Sequence, residues 1–164
     1  MNKIGVLGAG TWGTALSILL SDNGHDVTLW TKLEKEAKAL EESRDNLKNL
    51  PGAKLPEDVK ITLDLKEVCT DKDLIVMAVA SPYVRATAKE ASPYIKEGQI
   101  IVNVSKGIEE KTLLTLADVI REEIPQADIA VMSGPSHAEE VSRRIPTTIV
   151  VGSSSKKTAQ FIQD

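Results

Sequence analysis

The 164-residue chain holds one cysteine, Cys69, so no intramolecular disulfide can staple it, and the lone thiol reads as an inert structural residue. Long apolar runs are missing too. The longest, residues 74–80, falls far short of the ~20 residues that span a bilayer, so no membrane span is expected. The N-terminus lacks the charged-then-apolar pattern of a secretory leader, because Gly5, Gly8 and Gly10 interrupt it, and a cytoplasmic location is the resulting expectation. Basic charge is not in excess either. With a net charge of −4 and no Lys/Arg run, nothing points to nucleic acid as a partner. No His/Cys/Asp/Glu cluster has metal-ligand spacing, no Ser-His-acid set is evident, and no internal repeat or low-complexity tract occurs. A metal centre and a hydrolytic triad are therefore not expected.

What is present is an ordinary globular composition, 27% charged and 41% hydrophobic, in a chain long enough for one domain with its own core. It is organised around residues 4–15, Ile-Gly-Val-Leu-Gly-Ala-Gly-Thr-Trp-Gly-Thr-Ala. An apolar run gives way to Gly8, Gly10 and Gly13 and then to helical periodicity, which predicts strand, tight turn and helix. Each glycine has its own task in such a turn. Gly8 permits the reversal, Gly10 lets a pyrophosphate approach the main chain, and Gly13 lets the helix lie close on the strand. The N–H groups opening the helix, including those of Thr11 and Trp12, then point at the phosphates. The motif is weak alone, but here it follows a strand, opens a helix and leads to a second strand.

Beyond the turn, β and α patterns alternate. A helix is predicted over residues 11–23, with Trp12, Ala15, Leu16, Leu19 and Leu20 as its buried stripe. A strand follows at 26–30, a polar helix at 34–44, a loop at 46–57, a strand at 59–63 and one or two helical turns at 65–70. Residues 73–79 are apolar on both faces, as an interior parallel strand should be. Ser81 and Pro82 are placed to cap and open a helix to about 92, and strands at 100–104 and 128–132 flank a helix at 113–123. Residues 147–151 read as a last strand, and 153–164 as a capped helix that stops mid-pattern. The fold class is therefore α/β: a Rossmann-like, doubly wound, mostly parallel sheet with helices on both faces. Residues 1–152 are expected to form the dinucleotide-binding domain, and 153–164 to begin a linker or helix towards a further domain.

In such a sheet, ligands gather beyond the carboxyl ends of the strands. That rim collects residues 8–13, Thr31 and Lys32, residues 80–82, residues 105–107 and residues 133–136. Lys32 stands where an NAD-specific fold usually has an acid, which favours NADP or dual use, with Glu34 as the alternative partner of the ribose. Lys106 follows a buried strand and precedes Gly107. It can hold an anionic substrate or steady an oxygen whose charge changes, or it is a solvated loop lysine. Ser136 and Glu139 match a capping box at the head of a helix over 137–143, while Gly134 adds an anion-accepting corner. His137, inside that helix's first turn, reads as a packing or solvent-facing residue rather than a proton donor, and His25 as a solvated turn residue.

Residues 8–15 (Gly-Ala-Gly-Thr-Trp-Gly-Thr-Ala), Leu29-Trp30, Arg44-Asp45-Asn46 with Leu50-Pro51 and Leu55-Pro56, Ser105-Lys106-Gly107-Ile108-Glu109, and residues 133–140 (Ser-Gly-Pro-Ser-His-Ala-Glu-Glu) form an ordered set. Over essentially its whole length the chain resembles the N-terminal half of bacterial NAD(P)-dependent glycerol-3-phosphate dehydrogenase. The resemblance implies hydride transfer between NAD(P)H and dihydroxyacetone phosphate, giving sn-glycerol 3-phosphate for phospholipid synthesis. It implies that Thr11, Trp12, Lys32 and Ala138 contact the cofactor, that Lys106 touches both cofactor and substrate, and that Gly134 and Ser136 line the substrate site. The proton-accepting lysine and most substrate-phosphate contacts are then expected in a C-terminal helical domain, and a homodimer of the full-length protein is compatible with it. The chain departs from the family at Asn49, where Tyr is usual, at Pro82, which is displaced two places, and at His137, where Phe is common. A related hydroxy-acid or sugar dehydrogenase and a non-catalytic nucleotide-sensing domain remain the alternatives.

Overall fold

In the computed structural model, which describes residues 1–46, 48 and 50–164, each apolar run of the sequence becomes a strand of one sheet. The strands are β1 (Lys3–Leu7), β2 (Asp26–Trp30), β3 (Lys60–Thr62), β4 (Leu74–Met77), β5 (Ile100–Asn103), β6 (Asp128–Ser133) and β7 (Val150–Ser153). Their order is β3-β2-β1-β4-β5-β6-β7, and every neighbouring pair is parallel except β6 with β7. The chain thus winds outward from β1 in one direction and then, from β4, in the other.

Strand geometry sends alternate side chains to opposite faces, and the two faces carry separate cores. Ile4, Val6, Leu74, Val76 and Val102 meet α1 (Thr11–Asp22), α2 (Glu34–Ser43) and α7 (Lys156–Gln163) through Leu16, Ile18, Leu40 and Phe161. Leu7, Ile75, Met77 and Ile101 meet α3 (Leu65–Cys69), α4 (Val84–Ala91) and α5 (Leu116–Glu123) through Val68, Val84, Ala88, Val119 and Ile120. Burial on both faces is why β4 and β5 read as unbroken apolar runs. The sixth helix, α6 (Ala138–Ser142), packs on α1. At five residues α3 is too short to persist alone. It is held by its buried Val68 and Cys69 and by Asp64, whose carboxylate accepts from the Lys66 amide. Burial also pushes the Cys69 thiol up to about 12, which keeps it protonated and unreactive.

Several local expectations are corrected. In α1 the fully buried residues include Thr14, Ser17 and Ile18, while Trp12, Leu19 and Leu20 are only half-buried, because the helix lies between the sheet, α6 and the loop after α2. Ser81 does not cap. Ala80 takes the cap position without a side-chain bond, and Ser81, Pro82 and Tyr83 form a 3-10 turn before α4. Helix α5 starts at Leu116 rather than 113, since the Thr115 hydroxyl accepts from the Asp118 amide and Leu113 adopts a left-handed φ of 60°. Strand β7 begins at Val150, three residues later than the pattern suggested, where antiparallel pairing with Ser133 sets its register. The Asn49 departure lies outside the described residues. Among them no helix is long and apolar enough to cross a membrane.

One charged cluster ties the second layer together. Arg85 on α4 donates to Glu109 through Nε and Nη2 at 2.7 Å each, to Glu122 at 2.9 Å and to Glu123 at 2.7 Å. The Arg85 guanidinium, helped by the Thr112 hydroxyl, holds the Glu109 carboxyl down to about 2 from an ordinary 4.5. A depressed carboxylate stabilises the fold fully above its unfolded pKa and loses that contribution as pH falls towards the folded value. The melting-temperature gap between the unsubstituted chain and Arg85→Gln should therefore be constant from pH 7 to about pH 5 and close as pH drops further. Thermal scans across that window check this, and a gap that does not change with pH would contradict it.

Candidate functional site

The carboxyl ends of β1, β2, β4, β5 and β6 share one rim, and the turn from β1 into α1 is its centre. Gly8 sits at φ +114°, and a Cβ there would stand 2.9 Å from the Ala78 carbonyl oxygen. A Cβ on Gly13 would collide with the carbonyl oxygen of Gly8 and press the Ala78 methyl at 3.4 Å. The polypeptide itself demands both glycines. Gly10 differs. Its backbone is ordinary, with φ −69° and ψ −174°, and nothing lies within 4 Å of the place a Cβ would occupy.

The space over Gly10 is thus a cradle that a side chain would fill, at the N-terminal mouth of a helix. Gly10 is the N-cap of α1 and, among the described residues, no side chain caps this helix and its first turn carries no acid. By contrast Asp64, Thr115 and Ser155 cap α3, α5 and α7. The early amides and the helix dipole favour an anion by roughly 0.3–1 kcal/mol. Thr11 and Trp12 open α1, both half-buried at the rim.

At the end of β2, Thr31 is buried and its hydroxyl is bonded to the Glu36 carboxylate. Lys32 next to it reaches α4, where Nζ donates to Glu90 at 2.8 and 3.1 Å. Both partners are largely exposed, so this pair is worth little and releases readily. Glu34 faces Lys38 one turn along α2 at 2.8 Å. Between Lys32, Glu34, Glu36, Leu40 and Asn46 lies a cavity of about 590 Å³, within the range of small-molecule sites.

On the other side of the rim, Lys106 is exposed, yet its Nζ donates to the carbonyls of Gly134 at 3.2 Å and Ser136 at 3.4 Å. The turn after β5 is thereby clasped to the turn after β6. Ser105, placed on the rim by the sequence but given no role there, donates to the carbonyls of Met77 at 3.1 Å and Val79 at 2.6 Å, which fastens the turn after β4 to the same cluster. Gly134 is glycine because the Thr148 carbonyl oxygen would lie 2.7 Å from a Cβ.

The capping box is not formed. The Ser136 amide and hydroxyl both turn back to the Gly134 carbonyl, at 2.9 and 3.4 Å, and His137 takes the cap position of α6 with no side-chain bond. His137 faces solvent. His25 is less solvated than its turn suggested, because Nδ1 accepts from the Asn2 amide at 3.2 Å. Ala138 opens α6 with its side chain buried against Ala15 and Leu50, beside Trp12, so any contact to a ligand is left to its backbone. Among the described residues no group of three or more His, Cys, Asp or Glu could hold a metal ion.

A strand order of 3-2-1-4-5-6 with the glycine turn at the reversal point defines the class, a Rossmann-like doubly wound domain. Residues 3–159 match the family model described as NAD-dependent glycerol-3-phosphate dehydrogenase N-terminus, and the chain belongs to that family. A protein named glycerol-3-phosphate dehydrogenase (NAD(P)+) from Agathobacter rectalis is 51% identical over 164 residues, covering 100% of this chain and 49% of the relative. One of the same name from Fusobacterium nucleatum is 49% identical over 166 residues, covering 100% of this chain and 50% of the relative. The crystal structure of glycerol-3-phosphate dehydrogenase from Coxiella burnetii superposes with a TM-score of 0.92 at 30% identity, over 98% of this chain and 49% of that one. The chain spans about half the length of the relatives it matches.

The contrast among the glycines can be measured by thermal unfolding. Gly10→Ala should leave the melting temperature within a degree or two, whereas Gly13→Ala should cost at least about 2 kcal/mol through backbone collision. Equal losses in the two variants would remove the argument that the cradle serves a ligand.

Proposed function

We propose that this chain is the cofactor-binding half of an NAD(P)H-dependent glycerol-3-phosphate dehydrogenase that reduces dihydroxyacetone phosphate to sn-glycerol 3-phosphate for phospholipid synthesis. The observation that carries the reading is the open cradle over Gly10, beside glycines the polypeptide needs for itself, in a chain of this family. The names and double length of the relatives support it. On this reading residues 1–152 are the dinucleotide-binding domain, and residues 153–164 lead into a C-terminal helical domain that supplies the proton-accepting lysine.

When bound, the nicotinamide cofactor supplies the hydride. The chain's own residues bind and orient. Gly8, Gly10, Thr11, Trp12 and Gly13 receive the diphosphate on backbone groups at the head of α1. Lys32 leaves its exposed pairing with Glu90 to meet a 2′-phosphate, which is why NADP or dual use is favoured over NAD alone. Ala138 meets the cofactor through its backbone. Lys106 already stretches across the rim to Gly134 and Ser136, so its ammonium stands between the two turns that would line the substrate. There it orients an anionic substrate and steadies the charge that grows on the carbonyl oxygen.

Titration with NADH and NADPH tests the binding half of the proposal. Both should bind this chain weakly, and Lys32→Ala should weaken NADPH about tenfold while leaving NADH nearly unchanged. The chain by itself should show no measurable turnover, and reduction of dihydroxyacetone phosphate by it would overturn the assignment of proton transfer to another domain. In the dehydrogenase that carries this domain, Lys106→Ala should lower kcat by ~10²-fold or more with cofactor affinity mostly intact. An unchanged kcat would leave Lys106 a solvated loop residue.

A further inference from the structure

We propose that Asn46 is a positioning residue for the cofactor diphosphate: from the loop after α2 it fixes the orientation of the Ala9–Gly10 peptide, an inference that rests on the dinucleotide reading above. Asn46 lies 37 residues from Ala9 in sequence and is only 5% exposed. Its Nδ2 donates to the Ala9 carbonyl oxygen at 2.8 Å and to Thr14 Oγ1 at 2.8 Å. Thr14, itself fully buried, donates from Oγ1 to that same carbonyl at 3.2 Å. The Ala9 oxygen is thus gripped from the loop and from α1 together.

The consequence follows from peptide geometry. Among the described residues no peptide is cis, and in a trans peptide the C=O and the following N–H point in opposite directions. With the Ala9 oxygen drawn inward to Asn46, the Gly10 N–H is turned away from the loop. Burial makes the arrangement stiff, because an amide left without its acceptor in this interior would cost about 1–3 kcal/mol. The loop is pinned on its other side by Leu50, whose amide donates to the Asn46 carbonyl at 2.7 Å and whose side chain packs on Ala15 and Ala138. Asn46 is also among the residues at the edge of the 590 Å³ cavity beyond β2, with its amide turned inward to Ala9 and Thr14.

A residue that merely fastened the loop would affect stability without distinguishing among ligands. A residue that aims the Gly10 peptide affects ligands that carry a diphosphate. The experiment is a titration of this chain and of its Asn46→Ala and Thr14→Val variants with NADH, ADP and AMP, beside a thermal scan of each. Asn46→Ala should raise the Kd for NADH and ADP about fivefold to tenfold and leave AMP within about twofold, and Thr14→Val should show the same selectivity at smaller size. Equal losses for all three ligands, or a lower melting temperature with every Kd unchanged, overturns the positioning role. Thr14→Val decides the matter if Asn46→Ala does not fold. Failure of the unsubstituted chain to bind NADH at any concentration would instead remove the dinucleotide reading, and this inference with it.

Discussion

The closeness of two backbones governs this molecule. Where β1 ends and α1 begins, the helix runs so near the strand that Gly13 cannot carry a side chain without striking the carbonyl of Gly8, and Gly8 cannot carry one without meeting the Ala78 carbonyl just after β4. That contact sets the height of α1 over the sheet. It also fixes the direction in which the helix presents its first amides, over the rim between β1 and β4 where the strand order reverses. The uncapped N-terminus, the open face of Gly10 and the buried grip on the Ala9 carbonyl all depend on it.

Around this centre the rim is laced by polar side chains that reach from one turn to the next. Ser105 binds the turn after β4, Lys106 binds the turn after β6, and Lys32 pairs with α4. These links differ in strength. The Ser105 bonds are short and partly buried, whereas the lysines make exposed contacts that a stronger anion could displace. The rim therefore combines a fixed frame with two exposed cations whose present contacts are weak.

Much of this was legible in the sequence for a physical reason: glycine spacing and apolar runs report backbone constraints directly. Strand β2 and the start of α1 fall where the pattern put them, and the doubly buried β4 and β5 announced a parallel sheet. Signals that depend on a choice between local partners were less readable. Ser136 and Glu139 spell a capping box, but the serine satisfies itself on Gly134 within its own turn. The last strand was displaced by three residues because β-branched residues begin before the stretch that finds an antiparallel partner on β6. Asn46 stands in the sequence as a loop residue and as part of the Arg44-Asp45-Asn46 motif, with no sign of its partner. Nothing in a single sequence distinguishes a solvated loop asparagine from one buried against a turn 37 residues away.

The most direct test of the account is a crystal structure of this chain soaked with NADH. The diphosphate should lie over Gly10, within hydrogen-bonding distance of backbone amides in the first turn of α1, with the turn itself unmoved. Dinucleotide density elsewhere on the molecule, or a turn whose amides are taken up by protein groups while the ligand is bound, would contradict it.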